Sequence, residues 1–194
     1  GEGEWKTRQH GWTKRRTWRK LHLGIDADTG EVVAETLTEA GTDDASQVKP
    51  MLAQTPGEVA RLSGDGAYDR WKVHHLLAYP SEQASPIESV IPPRRDAQLR
   101  KAKRRYRPIE AHNQRVQGIG GKGRQRWKQW KRESGYHRRS LAETTVFRYK
   151  VILGSQLQAR SGEGQHIEAR IGCSILNRMI HLGKSDSYKV EVGN

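Results

Sequence analysis

Two acidic residues far apart in the chain, Asp65 and Glu143, have surroundings in which a carboxylate can do chemistry. Asp65 follows the short apolar run VARLS and lies between Gly64 and Gly66, so a strand would deliver it at its C-terminal end, where glycines allow a ligand to approach. Two carboxylates brought together could hold divalent metal ions for phosphoryl transfer, because hard cations prefer oxygen ligands. An ordinary Asp-Gly turn is the alternative explanation of Asp65.

Glu143 belongs to a polar stripe on a helix that the sequence predicts over residues 136–153. Tyr136, Arg139, Glu143 and Lys150 are three, four and seven residues apart, and at about 100° per residue they fall within about 60° of arc. Apolar residues occupy other sides of this helix, so we expect it to be buried, where a carboxylate needs a counter-charge or a metal. The alternative is an ordinary salt-bridge set on a helix face, with Arg139 and Lys150 near Glu143.

The positive charge of the chain is concentrated in one segment, Arg94–Arg132. It holds fifteen of the 35 Lys and Arg residues and only two acids, while the whole chain has a net charge of +13. A block of one sign repels itself and needs a polyanion, and nucleic acid is the polyanion we expect. Its aromatic residues could stack on bases or pack under phosphate-binding side chains, although a disordered basic loop would have the same composition. The candidate DNA-binding residues here are Arg104, Arg105, Lys128 and Lys131.

The elements that would position these residues alternate between strands and helices, which is typical of a mixed α/β domain. Residues 17–25 and 31–37 predict a hairpin around the turn that Asp26 opens. Helices are expected over 45–54, where Pro50 would kink or shorten the helix, and over 69–78, where we expect His74 and His75 on the surface. Further strands are expected over 59–63 and 88–91, and further helices over 108–117 and 167–182.

Composition excludes several classes of protein. The chain has 194 residues, of which 34% are hydrophobic, and no run approaches the roughly 20 apolar residues that a membrane-spanning helix needs. The single cysteine, Cys173, cannot form an internal disulfide and is expected to be a small buried residue. We therefore expect a cytoplasmic protein.

The polar stripe resembles the Y-R-E-K signature of DDE-class insertion-sequence transposases, and the run Asp65-Gly66-Ala67-Tyr68-Asp69 resembles the region around their second catalytic acid. The segments GEW at 3–5 and IPPR at 91–94 are similar to that family as well. The resemblance implies an RNase H-like mixed sheet with flanking helices. It also implies Mg²⁺ or Mn²⁺, two ions per complete site, and DNA cleavage and strand transfer at transposon ends.

By this resemblance Asp65 would be the second metal-binding acid and Glu143 the third, while Tyr136, Arg139 and Lys150 would contact transposon-end DNA. The family's first catalytic Asp precedes the GEW-like segment, so that Asp and its strand are expected to be absent here. Residues 1–182 would be the C-terminal portion of a catalytic domain and 183–194 a tail. Such a fragment would be inactive alone and would expose the backbone edge of residues 17–25. Asp26 is a tempting first acid, but it opens the hairpin turn.

Two other functions fit the same residues. In a non-enzymatic nucleic-acid-binding module the basic segment would carry the function and the acids would be structural. A metal-dependent nuclease unrelated to transposition would have no evident need for Tyr136. Metal dependence separates the first of these from a transposase. Synapsis of two transposon ends would favour a homodimer.

Overall fold

The computed structural model describes residues 4–7, 17–81, 84–94, 96–101, 106–119 and 123–183. Its strands are β1 (Glu4–Thr7), β2 (Thr17–Ile25), β3 (Val32–Glu39), β4 (Arg61–Ser63), β5 (Glu88–Val90) and β6 (Gln156–Leu157). Its helices are α1 (Val48–Gln54), α2 (Trp71–Ala78), α3 (Arg107–Ile119), α4 (Gly123–Glu133), α5 (Ser140–Leu153) and α6 (Gly162–His181). The predicted mixed α/β architecture is confirmed. Among the described residues, no helix combines the length and the apolarity that a membrane crossing needs.

The larger sheet has the order β3-β2-β1-β6. The hairpin of β2 and β3 is antiparallel as predicted, and Asp26 shapes its turn by accepting hydrogen bonds from the backbone N–H groups of Asp28 and Thr29, both at 2.8 Å. These bonds hold the pKa of Asp26 below its usual value. Strand β1 pairs with residues 17–20, so the prediction that the whole edge of β2 is exposed is wrong for that half.

One core cluster lies between this sheet and helices α5 and α6. Leu21 and Leu37 from the sheet pack with Tyr149 of α5 and Leu176 of α6. Helix α6 approaches the Tyr149 ring so closely that a Cβ at Gly172 would lie 2.1 Å from the Tyr149 hydroxyl oxygen. The helix that bears Glu143 is therefore fixed against the sheet by apolar packing.

A second core cluster lies beside the parallel pair β4 and β5. It contains Val48 of α1, Val73 and Leu77 of α2, and Ile91 just after β5. Helix α1 begins at Val48 after a 3₁₀ turn, so Pro50 lies in its first turn and shortens the predicted helix rather than kinking it. This cluster supports the strand that ends immediately before Asp65.

The helix predicted over 136–153 is divided. Gly135, in the left-handed conformation with φ of 66°, precedes a 3₁₀ turn over residues 136–139, and α5 begins at Ser140. Helix α4 was not predicted, and α6 begins five residues earlier than expected. The division matters most for Tyr136 and Arg139, which lie on the turn and not on the helix of Glu143.

Candidate active site

Asp65 lies at the point where β4 ends and a 3₁₀ turn over 66–68 begins. Its side chain is exposed, and one carboxylate oxygen accepts a hydrogen bond from the Ala67 backbone N–H at 2.8 Å. Gly64 is buried, and a Cβ there would lie 2.9 Å from the Tyr68 ring, so glycine at 64 makes room for Tyr68 and not for a ligand. The strand-end position of Asp65 agrees with the sequence prediction, while this reason for the glycine does not.

Glu143 lies in the first turn of α5, and its carboxylate accepts a hydrogen bond from the Arg139 guanidinium at 2.5 Å. The Glu143 side chain keeps 37% of its exposure, so the expectation of a buried helix carboxylate is wrong. The buried residues of α5 are Thr145 and Tyr149, on another side of the helix. Lys150, two turns after Glu143, is half-buried in the last turn of α5. The Arg139–Glu143 ion pair that the simpler explanation predicted is therefore present.

The two acids act on the same pair of side chains. Burial raises the pKa of Tyr136, the Arg139 charge opposes the rise, and both Asp65 and Glu143 add to it. Burial lowers the pKa of Arg139, but Tyr136, Glu143 and Asp65 together outweigh that effect and raise it. Residues 65 and 143, which are 78 positions apart, thus lie within electrostatic range of one Tyr–Arg pair. The turn 136–139 packs against β4, the strand that ends before Asp65.

This arrangement suits a hard divalent cation. Asp65 and Glu143 offer carboxylate oxygens, which Mg²⁺ and Mn²⁺ prefer, and exposure leaves both groups accessible from solvent. A carboxylate has several lone-pair positions, so the Ala67 N–H on Asp65 and the Arg139 contact on Glu143 leave acceptor capacity for a metal. The residues that could hold a metal here are thus Asp65 and Glu143.

Tyr136 also links the site to the basic segment. Its ring packs against Trp127 and Trp130 of α4, at centroid distances of 5.8 and 5.1 Å. The two tryptophans stack on each other at 5.2 Å, and the Lys131 ammonium lies 4.9 Å from the Trp127 ring. Of the two roles considered for these aromatics, the structure therefore favours packing beneath a basic side chain over stacking on bases.

The four basic candidates of the segment divide into two groups. Lys131 is half-buried on the aromatic cluster, whereas Lys128 is exposed on α4. Arg104 and Arg105 lie outside the described residues. The structure thus connects Lys131 to Tyr136 through Trp127 and places Lys128 on the surface of the same helix.

A buried network beside Asp65 centres on Asp69. Its carboxylate accepts hydrogen bonds from the Arg94 backbone N–H at 2.8 Å and from His74 Nε2 at 2.7 Å, and His112 Nδ1 lies 3.5 Å away. Burial would raise the pKa of Asp69, but the bonds from His74 and Arg94 outweigh it and lower the pKa. The surface position predicted for His74 is wrong, since only 4% of this residue is exposed. The network joins α2, α3 and the chain after β5.

Asp69, His74 and His112 offer ligand atoms that all lie within 4.8 Å of one another, which is close enough to consider a metal. The hydrogen bonds around His74 argue against one. Arg115 donates to His74 Nδ1 at 3.2 Å, so this nitrogen must accept and Nε2 must carry the proton that it donates to Asp69. A metal on Nε2 would place a proton on Nδ1, facing the Arg115 donor. We therefore interpret these residues as a hydrogen-bonded network.

A family model described as the transposase DDE domain matches residues 1–178. The chain belongs to the transposase DDE domain family. DDE transposase domains use divalent metals. No solved structure matches the chain.

Sequence reasoning missed the Asp69 network of this DDE domain. The clue was the second acid of the run Asp65-Gly66-Ala67-Tyr68-Asp69, followed by His74 five residues later. Its other members, Arg94 and His112, are distant in the sequence and meet Asp69 only through the fold. No local spacing could indicate their contact.

Proposed function

We propose that this DDE domain takes part in metal-dependent cleavage and strand transfer at the ends of an insertion sequence. The observation that carries the proposal is that the turn which pairs with Glu143 through Arg139 also packs against β4, the strand that leads to Asp65. The same turn lies against the basic, aromatic helix α4, and this neighbourhood suits a negatively charged substrate and a metal together. The RNase H-like fold is part of the same proposal and is supported by the mixed α/β architecture.

In this proposal Asp65 and Glu143 hold Mg²⁺ or Mn²⁺. Two ions in a complete site would activate the attacking oxygen and stabilise the leaving oxygen. Arg139 orients the Glu143 carboxylate through their ion pair and brings a positive charge to the position of the DNA phosphate. Tyr136 fixes the turn that carries Arg139, because its ring is 6% exposed and lies against α4. Lys150 would contact transposon-end DNA further along α5.

The partners of this domain would be transposon-end and target DNA, with a homodimer in the synaptic complex. The basic segment supports the choice of DNA through its excess of thirteen positive charges. We propose the cytoplasm, at the nucleoid, as its location. Cys173 suits a reducing compartment, since this buried thiol is free.

A non-enzymatic nucleic-acid-binding module is the second candidate, and one observation favours it. Asp65 caps a 3₁₀ turn and Glu143 pairs with Arg139, so each acid also has a structural partner. In that case neither residue would bind a metal. Metal binding by the folded chain separates the two candidates without any assay of activity.

The test is a titration of the chain with Mn²⁺, followed by the loss of the electron paramagnetic resonance signal of the free ion. We expect saturable binding that Asp65→Asn and Glu143→Gln each weaken by at least tenfold. Glu58→Gln is the matched control, because Glu58 is an exposed acid outside the site. Binding that both site variants leave at the parental level, or no saturable binding at all, would favour the non-enzymatic module.

A further inference from the structure

Two adjoining cavities extend from the Asp65 turn to helix α3. The first, of about 450 Å³, is lined by Gly66 and Ala67 of that turn together with Arg70 and Arg94. The second, of about 480 Å³, shares Arg70 and Arg94 and continues to His112. They form one groove that begins beside the candidate metal-binding acid, and we call it the arginine groove.

Positive charge dominates the arginine groove. Arg70, Arg94 and Arg100 line it and are exposed. Asp96 is the acid at its rim and offsets one charge, since its carboxylate lies 3.4 Å from Arg94 Nε. The Asp69 carboxylate also lines the groove, but its side chain is 5% exposed and its oxygens already accept hydrogen bonds from the Arg94 backbone N–H and His74. The exposed guanidinium groups therefore suit a polyanion better than a cation or an apolar ligand.

The segments that carry these arginines are fixed in place. The Asp69 carboxylate binds the backbone of Arg94, so substitution of the Arg94 side chain leaves that bond intact. The Asn113 side chain of α3 holds residue 100 from both sides, accepting from the Arg100 N–H at 2.9 Å and donating to the Arg100 carbonyl at 2.8 Å. The Arg100 guanidinium lies 5.8 Å from the Trp71 ring centre. Ordered arginines lose less conformational entropy when they bind phosphate than arginines on a mobile loop.

We propose that the arginine groove binds the phosphodiester backbone of the DNA strand adjacent to the phosphate that is cleaved. This inference rests on the proposed function and adds to it a path for the strand, from the Asp65 turn past Arg70 and Arg94 to Arg100. Several arginines that line one open groove suit successive phosphates, whereas a single bound nucleotide would need a closed pocket. One of the residues assigned here, Arg70, immediately precedes α2 and lies outside the basic segment 94–132.

The first experiment compares salt dependence in two matched variants. The groove variant combines Arg70→Gln, Arg94→Gln and Arg100→Gln. The control variant removes the same number of positive charges at exposed positions outside the groove, by Lys49→Gln, Arg160→Gln and Arg178→Gln. Each lost phosphate contact reduces the slope of log K against log salt by about 0.9. We expect the groove variant to lose about 2–3 from the slope and to bind duplex DNA on the order of 100-fold more weakly at 0.1 M salt.

The control variant should keep the parental slope to within about one unit. Equal losses in both variants would overturn the proposal, because they would show a response to net charge alone. Parental chain that binds no DNA would instead contradict the proposed function. Mn²⁺ binding by Asp65 and Glu143 is measured without DNA, so it stays informative whichever result the groove gives.

A second measurement locates the strand directly. Leu99 lines the groove and is 55% exposed, whereas Cys173 is 4% exposed, so a thiol introduced by Leu99→Cys can be labelled selectively. A chelated-iron reagent attached there should cut the backbone of bound duplex DNA. The same reagent attached through Lys49→Cys, on α1, should cut little. Equal cutting from both positions, or none from residue 99 while DNA is bound, would overturn the proposal.

Discussion

Replacing Asp69 by Asn is expected to destabilise the fold far more than the same change at Asp65, four residues earlier in the same loop. Asp69 is buried, accepts from two donors and has the His112 imidazole 3.5 Å away, whereas Asp65 is exposed and accepts from one backbone N–H. Asn keeps the shape but loses the charge, and its amide would turn a donor toward His74 or Arg94. Hydrogen bonds to a charged group contribute about 1.5–3 kcal/mol each.

Because Asn retains some acceptor capacity, we expect a loss of about 2–3 kcal/mol at Asp69. In a chain of this size that loss lowers the melting temperature by about 5–10 °C. Asp65→Asn should change stability by less than about 0.5 kcal/mol, since Asn caps a turn as well as Asp does. Thermal and urea unfolding followed by circular dichroism measure both values.

Equal melting temperatures for Asp69→Asn and the parent would refute the network. So would a rise in melting temperature with Zn²⁺ that depends on both His74 and His112, because it would show that these residues form a metal site. The second result would also mean that the Arg115–His74 contact gives way when the metal binds.

Three further predictions concern the cores. Gly172→Ala should destabilise the fold by about 1–3 kcal/mol despite the better helix propensity of Ala, because the new Cβ meets the Tyr149 ring. Urea unfolding measures this loss, and adding Tyr149→Leu should recover part of it. Burial lowers the pKa of His22, so as the pH drops this residue takes up a proton in the unfolded chain before it does so in the folded chain. The free energy of unfolding should therefore fall as the pH drops below about 6.5. His22→Gln should flatten that fall in melting temperature, whereas a parallel decline in parent and variant would contradict the assignment. Burial raises the pKa of Cys173 to about 12, so the native chain should resist a thiol-specific chromogenic reagent that reacts at once after unfolding.

The sequence predicted those parts of the fold that depend on local pattern. The hairpin follows from alternating residues around Asp26, and the strand-end position of Asp65 follows from a short apolar run. The sequence did not predict that residues 136–139 form a 3₁₀ turn ahead of α5, because the side-chain period does not separate a tight first turn from the α-helix that follows it. Helix α4 was missed because its charged residues hide the period, although Trp127 and Trp130, three apart, share one face.

For the candidate site, the sequence supplied the candidate residues, and their role stays a prediction. Asp65, Arg139 and Glu143 were identified from the resemblance and the helical spacing, and in the structure both acids raise the pKa of Arg139. The partners that position them come from tertiary contacts, such as the α4 tryptophans against Tyr136. Contacts of this kind depend on where helices meet, which a single sequence does not show.

The most direct test of the central claim, that Asp65 and Glu143 belong to one metal-dependent DNA-cleaving site, is nicking of supercoiled plasmid with Mn²⁺. In any form of the protein that nicks DNA, Glu143→Gln and Asp65→Asn should each reduce the rate at least 100-fold while DNA binding is kept, and Glu58→Gln should cut at the parental rate. Nicking by Glu143→Gln at the parental rate would contradict the claim. Loss of nicking on Asp26→Asn, with activity kept in Asp65→Asn, would place the metal at the hairpin turn instead.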